Sequence, residues 1–414
     1  MNRKTWRWAW RLPLFFLVGP FHLNGYQGSN NLCNDFSPIQ GAGTCVSKLN
    51  SIDTTLVLLS GELAAYYKYT NLAARAIYDN NFNVASVYFD SAFIYKQYPF
   101  YEDLKKYILV NFKSELFDKN EQALFHLIHH KKIDTAQLFS VLPKRVFDDK
   151  NLILINKLIK ERNKARSQES ILSKSLKEIF VSDQSVRDYE QFYKKSIEAR
   201  KAIYASRDSV DGVNFLRFEK LYAKYGFPDE ESVGVFFNDE HQWAFIVDVL
   251  LLHFKKTKEE ETAKKVVAII KAALYSGELH NSICASLLED NDVRAQDPTN
   301  EYYFLSTTIN LVMGEVYRPF VFYTDSLMKE VNTNRIAIGL DSFHITQKQV
   351  VCQFIGAKNI DNMNFITMSP YAQIDDLPPG LVKMSCDEAN VDYHSYKINT
   401  TKIMDKCRCE EKVY

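Results

Sequence analysis

Apolar residues recur at helical spacing along most of the chain. From residue 54 to about 147 they lie three and four positions apart, and a sparser version of this spacing, rich in Lys, Glu, Arg and Ser, continues from 150 to 207. Such spacing is typical of amphipathic helices. Glycine (14 residues) and proline (11 residues) are scarce while 46% of residues are hydrophobic, which favours helices joined by short connections. The sequence therefore predicts a mainly α fold.

Small and aromatic residues alternate from Leu72 to Pro99 in a way that suits two closely packed antiparallel helices. This segment resembles a tetratricopeptide repeat, and a weaker second unit runs from 101 to about 132. The resemblance implies a face that binds a protein or peptide, and the alternative is a module that only packs against the rest of the chain. The positions in the repeat register are Ala73, Phe82, Ala85, Phe89 and Ala92.

The chain divides into five parts by pattern and composition. We expect the tail to be irregular, since it mixes short β-like runs such as VVCQFIG with Pro378, Pro379 and Gly380. The predicted parts are 1–26, a signal peptide; 27–53, a polar segment; 54–149, tetratricopeptide-like helical hairpins; 150–345, an all-helical domain; and 346–414, an irregular C-terminal tail.

Several ordered motifs between about 165 and 345 resemble a bacterial domain family of unknown function. The order is a helix with D-Q-x-x-R, a helix ending at G-[FW]-P, a V-G pair, a helix ending in His, a G-E-[LI] step, and N-x-x-R-x-x-x-G-L. The chain departs from the family at LLEDNDVRAQ (287–296), where the family has Asp-Arg followed by Gln-x-Tyr-Gly-Thr-Gln. The matching segments are LKEIFVSDQSVRDY (176–189), VDGVNFLRFEKLYAKYGFPDEESVG (210–234), WAFIVDVLLLHFKK (243–256), KAALYSGELHNSICASLLEDN (271–291) and VNTNRIAIGL (331–340).

The candidate site residues are Asp183, Gln184, Arg187 and His253. On a helix Asp183 and Arg187 meet four residues apart, where an exposed pair contributes only about 0.3–0.5 kcal/mol. His253 follows four apolar residues and is either a hydrogen-bonded core residue or a base. If these side chains converge on a pocket, Arg187 would hold an anion and His253 would act as the base of a hydrolase or lyase.

Other polar positions have simple structural interpretations. The sequence YGFP, with Gly226 and Pro228, predicts a helix end, and Ser232 is expected to cap the next helix or to order the loop. His129 and His130, near a helix end, are interpreted as a favourable cation position rather than a metal site. Cys284 lies in the apolar helical pattern ICASLL and is expected to be a buried core thiol.

The N-terminus carries four basic residues and no acid before the ten-residue apolar run LPLFFLVGPF. This is the form of a secretory signal peptide, and the run is too short to span a membrane. An N-terminal strand or buried helix is the alternative, in which case the chain would be cytoplasmic. Basic and acidic residues balance at 51 each, so removing the signal leaves a mildly acidic protein with no field that attracts nucleic acid.

Cysteine usage agrees with export to an oxidising compartment. Cys33 with Cys45, and Cys386 with Cys407 or Cys409, are plausible disulfides because each pair would tie down a polar end without a core. The spacing fits no zinc pattern well, since Cys407 and Cys409 are one residue apart and no histidine pair lies near them. No cofactor or metal is expected.

The sequence is compatible with two functions. The first is an exported protein-interaction or structural module of the bacterial cell envelope, favoured by the repeat register and by the lack of a recognisable nucleophile elbow, phosphate loop or zinc motif. The second is a hydrolase or lyase built on the D-Q-x-x-R helix and His253.

Overall fold

A computed structural model gives the three-dimensional structure of the chain. It describes residues 56–142, 144–165, 170–187, 197–236, 243–257, 259–289, 310–312, 315–319, 325–343, 345–346, 369–371 and 381–383. The predicted signal peptide, the polar segment after it, the five cysteines expected to pair and most of the tail lie outside these residues.

Helices account for most of the described residues, so the predicted mainly α fold is confirmed. Short 3-10 turns at Phe117–Lys119 and Lys144–Val146 and a π turn at His126–His130 join some of them. The α-helices in the described ranges are α1 (Gly61–Tyr78), α2 (Phe82–Ile94), α3 (Tyr101–Lys113), α4 (Asn120–Phe125), α5 (Thr135–Val141), α6 (Asp149–Ala165), α7 (Ile171–Ser185), α8 (Ile197–Tyr225), α9 (Glu230–Val233), α10 (Trp243–Lys255), α11 (Glu260–Tyr275), α12 (Asn281–Leu288) and α13 (Asp325–Ala337).

Helices α1 and α2 form a hairpin across a three-residue connection. Asn80 adopts a left-handed conformation with φ of 57°, which asparagine tolerates, and the Asn81 side chain accepts a hydrogen bond from the first turn of α2. The small residues at the crossing, Ala73, Ala85 and Ala92, have no exposed surface, so the two backbones approach closely. The hairpin packing agrees with the sequence pattern, although a tetratricopeptide repeat is not confirmed.

The weaker second unit, expected from 101 to 132, is not a regular pair of helices. After α3, Glu115 turns the chain with a φ of 57°, and the return path is split into a 3-10 turn, the six-residue α4 and the π turn. A buried chain of asparagine side chains, Asn111 to Asn120 to Asn151, crosses this region with donor–acceptor distances of 2.9 and 3.0 Å. These internal hydrogen bonds connect α3, α4 and α6 where a repeat would use small apolar residues.

The largest apolar core lies between α7, α8, α10, α11 and α12. Leu176 and Ile179 of α7 face Phe218 of α8 and Leu250 and Phe254 of α10, and each is at most 1% exposed. Complete burial of such a side chain contributes roughly 1.5–3 kcal/mol to folding. This core fixes the relative positions of α7, α8 and α10, the three helices that carry the candidate site.

The segment after α13 returns to the first helix of the described chain. The Leu59 N–H donates to the Ala337 carbonyl at 2.9 Å, and Arg75 forms a bidentate ion pair with Asp341. Gly339 has a φ of +75°, and a Cβ atom there would lie 2.8 Å from Cβ of Tyr67. Glycine in the motif N-x-x-R-x-x-x-G-L is therefore required both by the backbone conformation and by the close approach to α1.

Four short strands form a small sheet in the order β3-β1-β2-β4. β1 (Asn310–Val312) pairs antiparallel with β2 (Glu315–Pro319) and parallel with β3 (Ser369–Tyr371), while β4 (Leu381–Lys383) pairs antiparallel with β2. The register places the Cα of Leu311 opposite those of Val316 and Pro370. Sequence analysis did not anticipate strands at 310–319. Among the described helices none is long and apolar enough to cross a membrane.

Candidate functional site: a buried carboxylate cluster

The site begins with the apolar face of α7. Ser170 caps the helix by accepting a hydrogen bond from the Ser173 N–H, and Leu172, Leu176 and Ile179 then point into the core. Asp183 follows Ile179 by four positions, so helical geometry places its carboxylate on the same face. Its side chain is completely buried. A buried carboxylate must be paired or hydrogen-bonded, because removal from water penalises its charge.

Arg187, just beyond the end of α7, supplies the compensating charge. Its Nη1 atom lies 2.9 Å from Oδ1 of Asp183 and donates to the Asp183 carbonyl at 2.7 Å. Its Nη2 atom lies 2.7 Å from both carboxylate oxygens of Asp211 on α8. The Arg187 side chain is only 4% exposed. One guanidinium therefore holds two carboxylates from two helices.

His253 of α10 and Gln184 complete the cluster. The Nδ1 atom of His253 lies 3.0 Å from both oxygens of Asp183, and Nε2 of Gln184 donates to Oδ2 at 2.7 Å. Since an ionised carboxylate can only accept, Nδ1 of His253 carries the hydrogen in this contact. The imidazole is 16% exposed, so one edge of the ring reaches the surface.

Asp211 carries the clearest electrostatic signature of the cluster. Burial raises the pKa of its carboxyl, and the hydrogen bonds and charge of Arg187 partly oppose that rise. The nearby Asp183 also raises the Asp211 pKa, while His253 lowers it. Asn214, one turn further along α8, is fully buried and donates to the Ile179 carbonyl at 3.5 Å. The cluster thus connects α7, α8 and α10 through charge and hydrogen bonds.

The structure brings together all four residues selected from the sequence, but in a different setting from the expected one. Asp183 and Arg187 do meet, yet as a buried pair, so the small energy of an exposed pair does not apply to them. Both terminal nitrogens of Arg187 are occupied by Asp183 and Asp211, which does not favour the expected role as a binder of a substrate anion. His253 is a hydrogen-bonded residue at the edge of the core.

Asp211 was missed by sequence reasoning. It lies in the stretch VDGVNFLRF, and it shares a helix face with Asn214, Phe215 and Phe218 at spacings of three, four and seven. A carboxylate on an otherwise buried face signals a buried partner. That signal was available in the sequence, although the partner itself could not be identified from it.

The remaining motif positions have structural roles. Gly226 follows α8 with a φ of +79°, and its N–H donates to the Tyr222 carbonyl, so the predicted helix end at YGFP is confirmed. The cap of α9 is Asp229, which accepts from the Ser232 N–H at 2.7 Å. The expectation that Ser232 itself caps this helix was wrong, because Ser232 lies within α9 rather than before it.

Two further sequence interpretations concern histidine and cysteine. His129 and His130 do lie at a helix end, within the π turn, but burial lowers the pKa of His129, which makes it a poor cation at neutral pH. His130 instead lies with Nδ1 3.3 Å from Oε1 of Glu231. Cys284 is completely buried, and burial raises the pKa of its thiol, so the expected core thiol is confirmed.

The part of the chain that the structure describes contains no arranged set of metal ligands. There, no three or more His, Cys, Asp or Glu side chains are grouped as metal ligands would be. The Asp183 cluster itself contains a guanidinium between its carboxylates, which occupies the place a cation would take.

Comparison with known proteins identified no relative of the chain. No protein-family model, curated protein or solved structure matched the chain. The similarity of the ordered motifs to a bacterial family of unknown function therefore stays a prediction from the sequence.

Proposed function

We propose that the protein is an exported protein-interaction module of the bacterial cell envelope that binds a partner helix through α2. The observation that carries this proposal is an exposed apolar stripe on that helix. Val84, Val87 and Ile94 are 38%, 56% and 80% exposed. At 100° per residue these positions fall within about 80° of one another around the helix, with Ser91 between them.

The spacing of the stripe argues for a helical partner. Positions i, i+3, i+7 and i+10 form one ridge along a helix, and the complement of such a ridge is the apolar face of a second amphipathic helix. Isolated exposed apolar residues are common on soluble proteins, whereas apolar residues aligned along one helix face support an interaction surface. The opposite face of α2 is already used, because Ala85, Phe89 and Ala92 pack inside the hairpin.

The saturated charge cluster also supports a binding role. Arg187 is engaged by two protein carboxylates and Asp183 is sealed from solvent. Their geometry fits a clamp that holds three helices together. It leaves few donors for a small substrate.

The test is affinity isolation from cells that make the protein, with wild-type and variant chains as bait. Val87→Asp combined with Ile94→Asp places charge in the stripe and is expected to abolish recovery of a partner without changing the urea midpoint. Ile153→Asp is the matched control, since Ile153 is 70% exposed on α6, outside the stripe. Recovery that is equal for all three baits would refute the role of α2.

Export is the second part of the proposal. It is supported by the four basic residues and the apolar run at the N-terminus, and by cysteines concentrated in the polar ends. Intact mass analysis of the protein recovered from cells is expected to show loss of roughly the first 26 residues. A full-length chain confined to the cytoplasm would contradict it.

A hydrolase or lyase is the second candidate function, and the pairing of His253 with Asp183 favours it. The carboxylate fixes the tautomer and orients the ring, which is how acidic residues prepare a histidine base. A panel of activated esters and phosphoesters tests it: His253→Gln should lower any turnover by roughly 100-fold or more. Lys265→Gln, which alters a part-exposed pair of α11 with Glu219, is the control expected to leave turnover unchanged.

A further inference from the structure

A second polar constellation lies between α3 and the start of α12, and it goes beyond the proposed binding role. His280 precedes α12, and its Nδ1 atom is 2.8 Å from Oγ of Ser282. On the other side of the ring, Nε2 lies 3.5 Å from Oδ2 of Asp103 on α3. A hydroxyl, an imidazole and a buried carboxylate are thus aligned in series.

The hydrogen bonds define which nitrogen of His280 is the base. The backbone N–H of Ser282 also donates to Nδ1, at 3.2 Å, so this nitrogen carries a lone pair rather than a hydrogen. Nε2 therefore carries the hydrogen and points it at Asp103. The ring is held edge-on by two aromatic side chains, Tyr67 at 5.7 Å and Phe100 at 5.0 Å between centroids. The tautomer and the orientation both suit transfer of the Ser282 proton to Nδ1.

The surroundings of Asp103 favour the ionised form of its carboxyl. Its Oδ2 atom accepts from the Tyr66 hydroxyl at 2.6 Å, and Oδ1 lies 3.7 Å from Nζ of Lys106. Burial by itself raises the pKa of this carboxyl, but the hydrogen bond of His280, the charge of Lys106 and the Tyr66 hydroxyl together lower it to about 2. A carboxylate in this position stabilises the imidazolium that forms when the histidine takes a proton.

We propose that Ser282 is a nucleophile for acyl transfer from esters, with His280 as its general base and Asp103 as the positioning residue. Oγ of Ser282 bonds to the carbonyl carbon while its proton moves to Nδ1 of His280. The carbon–oxygen bond of the ester then breaks, and the alcohol leaves with that proton. Water, deprotonated by the same histidine, hydrolyses the acyl-serine and releases the acid.

The position of Ser282 suits this chemistry. It is the second residue of α12, and the positive end of the helix dipole favours the negative charge that develops on the carbonyl oxygen. Ser282 is half-buried and the His280 side chain is 13% exposed, while the Asp103 side chain behind them is only 3% exposed.

The competing role for His280 is purely structural, as the cap of α12. Asparagine is among the best capping residues and can accept the same Ser282 N–H, but it is not a base. His280→Asn therefore retains the cap and removes the catalytic group. Ser276→Ala, which removes a hydroxyl bonded to carbonyls of α11 and to Glu278 rather than to this constellation, is the control.

The experiment is labelling of the full chain with a fluorophosphonate probe, followed by intact mass and peptide mapping. Oγ of Ser282 would displace fluoride at phosphorus, and the adduct should map to Ser282 and be absent in Ser282→Ala. His280→Asn should label about 100-fold more slowly. Asp103→Asn should also slow labelling, whereas the control Ser276→Ala should retain the wild-type rate.

Three results would overturn the proposal: no adduct on the folded wild-type chain, an adduct only at other residues, or a His280→Asn variant that labels at the wild-type rate. Thermal melting of each variant identifies any loss of folding. Because no bait or partner is involved, these outcomes are independent of whether α2 binds a partner helix.

Discussion

Replacement of Arg187 by methionine is the most informative test of the buried cluster. Methionine fills a similar volume without charge, so the change isolates the electrostatic role of the guanidinium. In the wild-type chain Arg187 lies within 2.9 Å of Oδ1 of Asp183 and donates to both oxygens of Asp211 at 2.7 Å. The variant keeps His253 and Gln184 as partners of Asp183, but Asp211 loses the only partner that the described residues give it.

The expected loss is large because the charges are buried. Breaking a buried ion pair by removing one partner costs about 3–5 kcal/mol of unfolding free energy, since the remaining carboxylate stays in the core. The matched control is Arg217→Met, which removes an arginine paired with Glu178 between the same two helices. The side chains of that pair are 42% and 55% exposed, so its loss should cost less than about 1 kcal/mol.

The loss of unfolding free energy in Arg187→Met should also depend on pH in a defined direction. Burial already raises the pKa of Asp211, and removal of Arg187 raises it further. A carboxyl with a folded pKa above its unfolded value favours the folded state at low pH, and that stability is lost as pH rises through the folded pKa. The deficit of Arg187→Met should therefore be greatest at neutral pH and should shrink as the pH falls toward the unfolded value of 3.8.

Urea denaturation at neutral and mildly acidic pH measures both effects. Asp211→Asn in the Arg187→Met background should recover part of the loss at neutral pH, because it removes the uncompensated charge. A loss below about 1 kcal/mol for Arg187→Met, or a deficit that is the same at both pH values, would refute the interpretation of a charged, buried clamp.

Three other predictions concern single positions. Gly339→Ala should lower the unfolding free energy by about 2–4 kcal/mol, because the new side chain strains a positive φ and meets the buried Tyr67. Gly212→Ala, in an open helical position, should raise the unfolding free energy by roughly 0.5–1 kcal/mol. Urea denaturation measures both changes. Asp229→Ala should cost about 1 kcal/mol through loss of the α9 cap, and Ser232→Ala less than half of that in the same assay. The folded structure lowers the pKa of Asp103 from 3.8 to about 2, so the ionised carboxylate contributes about 2 kcal/mol to the unfolding free energy, and this contribution should be lost as pH falls from 3.8 toward 2. In Asp103→Asn the unfolding free energy should therefore change less with pH over this range.

Much of the fold could be predicted because helical spacing is a local signal. The apolar positions around Ala73, Ala85 and Phe89 are buried in the hairpin as their spacing requires, and the glycine of YGFP ends α8. The second hairpin failed as a repeat, since a left-handed Glu115 and buried asparagine side chains interrupt it. The strands at 310–319 were not foreseen: β1 and β2 pair locally with each other, but the outer strands that complete their sheet lie about sixty residues further along.

The candidate site was only partly visible in the sequence for a similar reason. Spacing predicts that Asp183 and Arg187 meet, since that contact depends only on helix geometry. Their burial, and the contacts with Asp211 and His253, depend on how α7, α8 and α10 pack. His253 is 70 positions from Asp183 in the chain, and nothing local connects the two. The His280 constellation was missed because its histidine and serine resemble an ordinary helix cap.

Photo-crosslinking from α2 in living cells tests the central claim most directly. A benzoylphenylalanine at position 94, the most exposed point of the apolar stripe, should give one discrete heavier product on irradiation, and Val87→Asp in the same chain should remove it. The same group at position 153, where another isoleucine is 70% exposed on α6, should give none. No product from position 94, or the same product from both positions, would contradict a partner-binding role for this helix.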